Sequence, residues 1–114
     1  MLSLVFLGMT ERLKGNLDLL VLEVLAAGPA HGYDVISSLR SRSGGVFDLP
    51  EGTVYPALHR LERGKLLTSA WSTDSGRRRR VYELTPAGRA ALVAERQQWH
   101  KFAGGVRSIL AYAT

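Results

Sequence analysis

The chain changes from helical to strand-like patterning at Leu66, and this change constrains the fold more than any other feature of the sequence. Two runs rich in apolar, β-branched and aromatic residues, 66–71 and 80–84, are joined by the turn-forming segment 72–76. This arrangement predicts a β-hairpin. Because helical patterns stand before and after the hairpin, we expect a fold that is mainly α with one small β-hairpin.

Three helices are predicted before the hairpin. The first is indicated by apolar residues that recur at helical spacing, namely Leu13, Leu17, Leu20 and Val24. The second begins near His31 and ends at the glycine pair 44–45, and the third begins near Gly52 and ends at 63–65. Proline is tolerated in the first turn of a helix, so Pro56 requires either a start close to Gly52 or a kink.

Composition excludes several classes of protein. With 114 residues, 46% of them hydrophobic, the chain is long enough for one modest core. It contains no cysteine, which excludes disulfides, thiolate metal sites and thiol catalysis. The three histidines are far apart in the sequence, at positions 31, 59 and 100, so no metal site is predicted. The sequence also lacks a Gly-rich phosphate loop and a convergent catalytic motif, so we predict neither enzyme activity nor a cofactor.

Positive charge is concentrated in one part of the chain. Residues 51–80 hold seven basic and three acidic side chains, whereas the remainder holds eight basic and seven acidic ones. A charge needed only for solubility would be spread more evenly. The localised excess therefore indicates a binding surface for an anionic partner such as nucleic acid.

Three helices followed by a two-stranded wing are the element order of a winged helix-turn-helix, whose third helix would read DNA. The predicted DNA-contacting residues are Tyr33, Thr53, Tyr55, His59, Arg60, Arg77, Arg78, Arg79 and Arg80. Two alternatives remain open for the third helix: Tyr55 packs on the neighbouring helix, and His59 is merely solvated. The four arginines could likewise be a solvated run that protects a strand edge.

A long helix, roughly 86–113, is predicted after the hairpin, with Thr85 as its N-cap and Pro86 at its first position. A heptad seam is predicted by residues that repeat along it at alternating steps of four and three and are apolar except for Arg96: Leu92, Arg96, Trp99, Ala103, Val106, Leu110 and Ala113. A helix of this length would span roughly 40 Å, more than one small domain covers. We therefore predict a homodimer that reads a palindromic operator. The predicted dimerisation residues are Leu92, Trp99, Phe102, Val106, Ile109 and Leu110.

Two alternatives to this interpretation of the last helix stay open. The helix could fold back on the first helix of its own chain instead of pairing with a partner. Trp99 and Phe102 could also form a wall of a flat apolar pocket between subunits and bind a planar aromatic effector, although a core or interface role is the simpler interpretation.

The predicted organisation has three parts: an apolar leader at 1–11, a winged helix-turn-helix at 12–85 and a dimerisation helix at 86–114. The leader is either a short docking helix or a stretch upstream of a true start at Met9. No apolar run approaches the length of a membrane span, so we expect no membrane partner and a cytoplasmic, nucleoid-associated protein.

Five segments of the sequence also match a known family in order and spacing. They are LKGNL at 13–17, HGY at 31–33, GTVYPAL at 52–58, RLE at 60–62 and GRRRRVYELTPAG at 76–88. In these segments the chain resembles PadR-type transcriptional regulators, and its single short last helix is similar to the smaller branch of that family.

The resemblance implies a winged-helix dimer that represses promoters and is released by phenolic or other aromatic, drug-like molecules. It also implies that the helix carrying 53–56 enters the major groove and that the wing touches the flanking minor groove. Some members of the smaller branch stack a planar ligand on a tryptophan of the dimerisation helix, a position for which Trp99 is the candidate.

The sequence therefore predicts a sequence-specific DNA-binding transcriptional regulator, in the form of a dimeric repressor that an aromatic effector releases. The alternative is a winged-helix module that binds a protein partner through its last helix and has only non-specific affinity for nucleic acid. Preference for one DNA sequence over another distinguishes the two hypotheses.

Overall fold

The computed structural model describes residues 12–74 and 76–112, and the predicted apolar leader at 1–11 lies outside the described residues. The elements in chain order are α1 (Leu17–Ala26), β1 (Ala30–His31), α2 (Gly32–Arg42), α3 (Glu51–Arg63), β2 (Leu67–Ser72), β3 (Arg79–Leu84) and α4 (Pro86–Tyr112). This order confirms the predicted mainly α winged helix-turn-helix with a long C-terminal helix. The hairpin strands begin and end within one residue of their predicted bounds.

The sheet has three antiparallel strands in the order β1-β3-β2, one more strand than the sequence predicted. The wing is the hairpin β2–β3, in which Leu67 lies opposite Leu84 and Ser72 lies opposite Arg79. The additional strand, β1, pairs Ala30 with Tyr82 and so joins the start of α2 to the wing. Two residues are too few to show alternating polarity, which is why β1 escaped the sequence analysis.

The core lies where α1, α2 and α3 meet the inner face of the sheet and the first turns of α4. Its buried members on α1 are Leu19, Val21, Leu22, Val24 and Leu25. Leu13 and Val24 of the predicted stripe are buried, whereas Leu17 and Leu20 are half-buried and pack against the core. Since α1 is apolar around most of its circumference, its sequence does not show which face is turned fully inward.

Helix α3 begins at Glu51, as predicted, and its first amide groups are satisfied by the backbone oxygen of Pro50. Its inward face consists of Val54, Ala57, Leu58 and Leu61, all buried. Pro56 is the sixth residue of this helix, one turn later than the prediction favoured. Because Pro56 has no amide hydrogen, the carbonyl group of Gly52 lacks its helical donor. Gly52 is exposed, so water can bind this carbonyl group instead.

The start of α4 is attached to the turn that follows α3. The Thr85 hydroxyl accepts a hydrogen bond from the Gly88 amide at 3.0 Å, which confirms Thr85 as the N-cap. The same hydroxyl donates to the backbone oxygen of Lys65 at 2.7 Å, and the Thr85 amide donates to that of Leu66 at 3.1 Å. The direction of α4 is therefore set by the turn that follows α3.

Only the first half of α4 packs on the body of the chain. Leu92 was predicted to be a dimerisation residue, but it is 4% exposed and belongs to the core of its own chain. One turn later, Arg96 donates two hydrogen bonds to the carboxylate of Glu23 on α1, at 2.7 and 2.8 Å. The hydrogen bonds from Arg96 lower the pKa of Glu23. The alternative in which the helix folds back on α1 thus describes this half of α4.

Candidate nucleic-acid interface

A cleft of about 570 Å³ separates α3 from the wing, and β1 and the start of α2 form its closed end. Its described lining is aromatic and basic and includes no carboxylate: His31, Gly32, Tyr33, Tyr55, His59, Trp71, Arg77, Arg78, Arg79, Arg80 and Tyr82. Guanidinium groups beside flat rings can meet phosphates, sugars and base edges at once. The cleft therefore has the chemistry of a nucleic-acid interface.

The structure brings seven of the nine predicted DNA-contacting residues to this cleft. They are Tyr33, Tyr55, His59 and Arg77, Arg78, Arg79 and Arg80. Tyr33 is 64% exposed, and His59 lies on the exposed side of α3. Thr53 and Arg60 do not line the cleft; Thr53 is half-buried near the start of α3.

Tyr55 is held in place by a close approach between two helices. A Cβ atom added to Gly32 at the start of α2 would lie 2.6 Å from Cε1 of the Tyr55 ring. Tyr55 is half-buried against the core, and its ring lies 6.4 Å from that of His59. The alternative in which Tyr55 packs on the neighbouring helix is therefore the observed packing, although the ring still borders the cleft.

Arg60 has a partner within the chain. Its guanidinium group donates to the carboxylate of Asp18 on α1, and both side chains are partly exposed. Binding of a phosphate by Arg60 would require it to leave Asp18 or to share its remaining donors. This contact could not be predicted from the sequence, because the two residues are 42 positions apart.

Four cleft residues were not among the predicted DNA-contacting residues: His31, Gly32, Trp71 and Tyr82. Trp71 is the most exposed aromatic residue of these four. It lies opposite Arg80 in the hairpin and is 54% exposed. The guanidinium carbon of Arg78 lies 4.5 Å from the centre of the indole ring, and that of Arg80 lies 5.2 Å from it. Both distances are typical of cation–π contacts. The available signal was the two-residue alternation that places 71, 78 and 80 on one face of a hairpin.

A polar network connects Arg80 to α3. Arg80 donates through Nε to the hydroxyl of Ser69 at 2.7 Å, and Ser69 donates to the carboxylate of Glu62 on α3. A second nitrogen of Arg80 lies 3.7 Å from that carboxylate. Glu62 lies near the end of α3, and its carboxylate faces the wing.

Tyr82 and His31 form the deepest part of the cleft. Tyr82 is 1% exposed, and burial, together with the nearby Glu62 carboxylate, raises the pKa of its hydroxyl. Within the described part of the chain, Nδ1 of His31 is buried without a hydrogen-bond partner. The two rings belong to residues on the adjoining strands β1 and β3, so the sheet itself closes the cleft.

A second surface lies on the outer half of α4, which we call the seam surface: Trp99, Phe102, Val106, Ile109 and Leu110. All five side chains are at least 40% exposed, and the rings of Trp99 and Phe102 lie 6.1 Å apart. These residues continue the stripe that carries Leu92 and Arg96, past the point where α1 covers it. A row of exposed apolar side chains of this kind is typical of an interaction surface.

Residues 12–74 and 76–112 hold neither a membrane-spanning helix nor a metal-binding cluster. No helix among them is long and apolar enough to cross a membrane. In the same ranges, acidic and histidine side chains do not gather into a group of three or more that could hold a metal ion.

Comparisons with known proteins agree with this geometry. The family model described as Transcriptional regulator PadR-like family matches residues 21–94. Transcriptional regulator Rv3488 of Mycobacterium tuberculosis (strain ATCC 25618 / H37Rv) is 41% identical over 95 residues, which cover 83% of this chain and 86% of the relative.

Solved structures show the same similarity. A PadR family transcriptional regulator from Eggerthella lenta DSM 2243 matches with a TM-score of 0.81 and 32% identity, over 95% of this chain and 93% of that one. A PadR family transcription regulator from Clostridium difficile R20291 matches with a TM-score of 0.74 and 33% identity, over 83% of this chain and 98% of that one.

Proposed function

The chain belongs to the PadR-like family of transcriptional regulators, and from this premise we propose that it is a dimeric, sequence-specific DNA-binding protein. The observation that carries the proposal is the cleft between α3 and the wing, which four arginines and six aromatic or histidine rings line without a carboxylate. Such a surface attracts a polyanion and offers groups that reach base edges. As a DNA-binding protein it would act at the nucleoid in the cytoplasm.

In this proposal α3 enters the major groove and the wing follows the flanking backbone and minor groove. The face of α3 turned away from the core carries Gly52, Pro56 and His59, which are exposed and leave room for close approach to bases. Arg77 lies at the exposed tip of the wing, where it can bind a phosphate or enter a narrow minor groove. The wing thus supplies most of the affinity, and α3 supplies the choice of sequence.

The seam surface supports a homodimer. Burying exposed apolar side chains between two copies is favourable by roughly 25 cal/mol for each Å² of apolar surface removed from water. A two-fold dimer would present two copies of α3 to a palindromic operator. Leu92 is excluded from the contact because it lies in the core of its own chain.

We further propose that the protein is a repressor and that a planar aromatic effector binds between the two copies of the seam surface. Trp99 and Phe102 support this proposal, because their neighbouring rings are partly exposed and a two-fold axis would bring a second pair opposite them. A ligand there would change the angle between the two DNA-binding units and so release the operator.

DNA binding can be tested with a duplex taken from upstream of the protein's own gene and a scrambled duplex, titrated across a salt series. We expect the wild-type protein to prefer the upstream duplex. Arg77→Ala should weaken binding to both duplexes similarly and reduce the salt slope by about 1.8, because each of the two chains in the dimer loses one phosphate contact worth about 0.9.

Arg89→Ala is the matched control, because it removes the same charge from the first turn of α4, at the other end of β3 from the wing tip. An equal loss of binding in both variants would indicate a general charge effect rather than a wing contact. A protein that binds both duplexes equally would favour either regulation at another promoter or the alternative interaction module.

Effector binding can be tested through tryptophan emission. Planar aromatic dyes should quench the emission of the wild-type protein, and Trp99→Phe should remove most of that quenching because Trp71 lies on the distant wing. Trp71→Phe is the control and should leave the quenching intact. Persistence of full quenching in Trp99→Phe would exclude the seam surface as the effector site.

A further inference from the structure

We infer that Glu62 is a positioning residue for DNA recognition: together with Ser69 it holds Arg80 on the indole of Trp71 and so fixes the wing relative to the recognition helix. The inference rests on the proposed DNA-binding function. It assigns a favourable role in binding DNA to a carboxylate that lies beside a basic cleft, where electrostatics alone would assign an unfavourable one.

The contacts run in an unbroken chain between the two elements that would touch DNA. The Glu62 carboxylate on α3 accepts a hydrogen bond from Ser69 on β2, and Ser69 accepts one from Nε of Arg80 on β3 at 2.7 Å. Arg80 in turn lies over Trp71, 5.2 Å from the ring centre to its guanidinium carbon. Each hydrogen bond involves an ionised group, which makes it stronger and more directional than a neutral one.

Arg80 consequently differs from its neighbours in the arginine run. Arg77 and Arg78 are exposed, and Arg78 contacts the outer part of the same indole at 4.5 Å. Arg80 is exposed as well, but its Nε donates to Ser69 at 2.7 Å and a second nitrogen lies 3.7 Å from the Glu62 carboxylate. We assign Arg80 to orienting the wing and Arg77 and Arg78 to contacting the backbone.

This network matters because α3 and the wing must fit two different parts of one duplex at the same time. The outer part of a hairpin can twist relative to a neighbouring helix when no side-chain contact outside the core joins the two. The last buried contact of the wing is Tyr82, and Trp71 and Arg80 extend past it. Locking them to Glu62 reduces the ordering needed when DNA binds.

Two substitutions separate positioning from electrostatics. Glu62→Gln removes a negative charge near the cleft, so simple attraction predicts tighter binding to DNA. Positioning predicts weaker binding. Ser69→Ala breaks the same network without changing the charge. Glu83→Gln is the control, since Glu83 is exposed on the opposite face of β3 and its replacement changes the net charge equally.

The experiment measures the affinity of each variant for a duplex that the wild-type protein selects from a random pool, and for an unselected duplex. We expect Glu62→Gln and Ser69→Ala to weaken binding to the selected duplex by about tenfold each and to leave the unselected duplex nearly unchanged. In an Arg80→Ala background the Glu62→Gln effect should disappear, because the carboxylate acts through Arg80. Thermal unfolding of each variant identifies a loss of fold.

A second readout needs no DNA. With Trp99→Phe in place, Trp71 is the remaining one of the chain's two tryptophans. Releasing Arg80 from its network should shift the emission of Trp71 in both Glu62→Gln and Ser69→Ala and leave it unchanged in Glu83→Gln. An unchanged emission in all three variants would contradict the inference.

Binding of Glu62→Gln that equals or exceeds that of Glu83→Gln would overturn the inference while leaving the proposed function intact. So would an effect of Glu62→Gln that persists in full without Arg80. If the random pool yields no preferred sequence, the proposed function itself fails and the inference falls with it. A retained emission shift would then show that the network exists but serves no recognition.

Discussion

Val106→Glu is expected to convert the protein from a dimer to a monomer while leaving each chain folded. Val106 is 40% exposed on the seam surface, beyond the part of α4 that α1 covers. Glutamate is at least as good a helix former as valine, so the helix itself is not weakened. Two-fold symmetry places one such glutamate from each chain at the interface. Burying each carboxylate without a partner costs about 3 kcal/mol, so the dissociation constant of the dimer should rise by about four orders of magnitude.

Sedimentation across a concentration series measures this change directly. Val93→Glu is the matched control, because it makes the same replacement on the same helix. Val93 is 52% exposed and lies at least about a quarter turn around the helix axis from every residue of the seam surface. We expect Val93→Glu to remain a dimer. A Val106→Glu protein that stays dimeric would place the dimer contact elsewhere and contradict the seam surface.

Gly88→Ala is expected to destabilise the fold by about 3 kcal/mol, because overpacking next to fixed backbone has a cost of this size. A Cβ atom at position 88 would lie 2.1 Å from the backbone oxygen of Leu66 and 3.2 Å from a methyl group of Leu84. The Leu66 oxygen cannot move away without loss, since it already accepts the Thr85 amide. For a domain of this size the melting temperature should fall by roughly 15 °C.

Gly104→Ala on the same helix provides the comparison. Among the described residues, and leaving aside the adjoining residues and backbone of its own helix, no atom lies within 4 Å of a Cβ built at Gly104, so the added methyl group meets open space within the chain. Alanine there should stabilise the helix by up to about 1 kcal/mol. Thermal unfolding that shows equal effects at the two glycines would exclude the backbone contact at Gly88 as the cause.

The hairpin and the cap of α4 show how much of the fold could be predicted from local sequence. Trp71 and Leu84 belong to runs whose composition favours strands, and these runs became β2 and β3 within one residue. Thr85 and Pro86 carry the signals of a helix start, and the structure confirms the cap. These predictions succeeded because the relevant interactions join residues a few positions apart.

The candidate site was less predictable, because its decisive contacts join distant parts of the chain. The arginine run was evident in the sequence, but the orientation of Arg80 depends on its contacts with Ser69 and Glu62. The sequence left open whether Tyr55 packs on the neighbouring helix, and the structure places its ring against Gly32. Helical periodicity gives the direction of a side chain but not the neighbour that it meets.

Helix α4 shows most clearly which properties follow from the sequence and which depend on the tertiary structure. The sequence alone determined that α4 carries a stripe at heptad spacing that is apolar except for Arg96, because the positions that share one face of a helix follow from its geometry. Only the tertiary structure decided that Leu92 and Arg96 serve the chain's own core and α1, while Trp99 and the residues beyond it remain exposed. The division falls where α1 ends its contact with α4, and the position of α1 is set by the packing of the whole core.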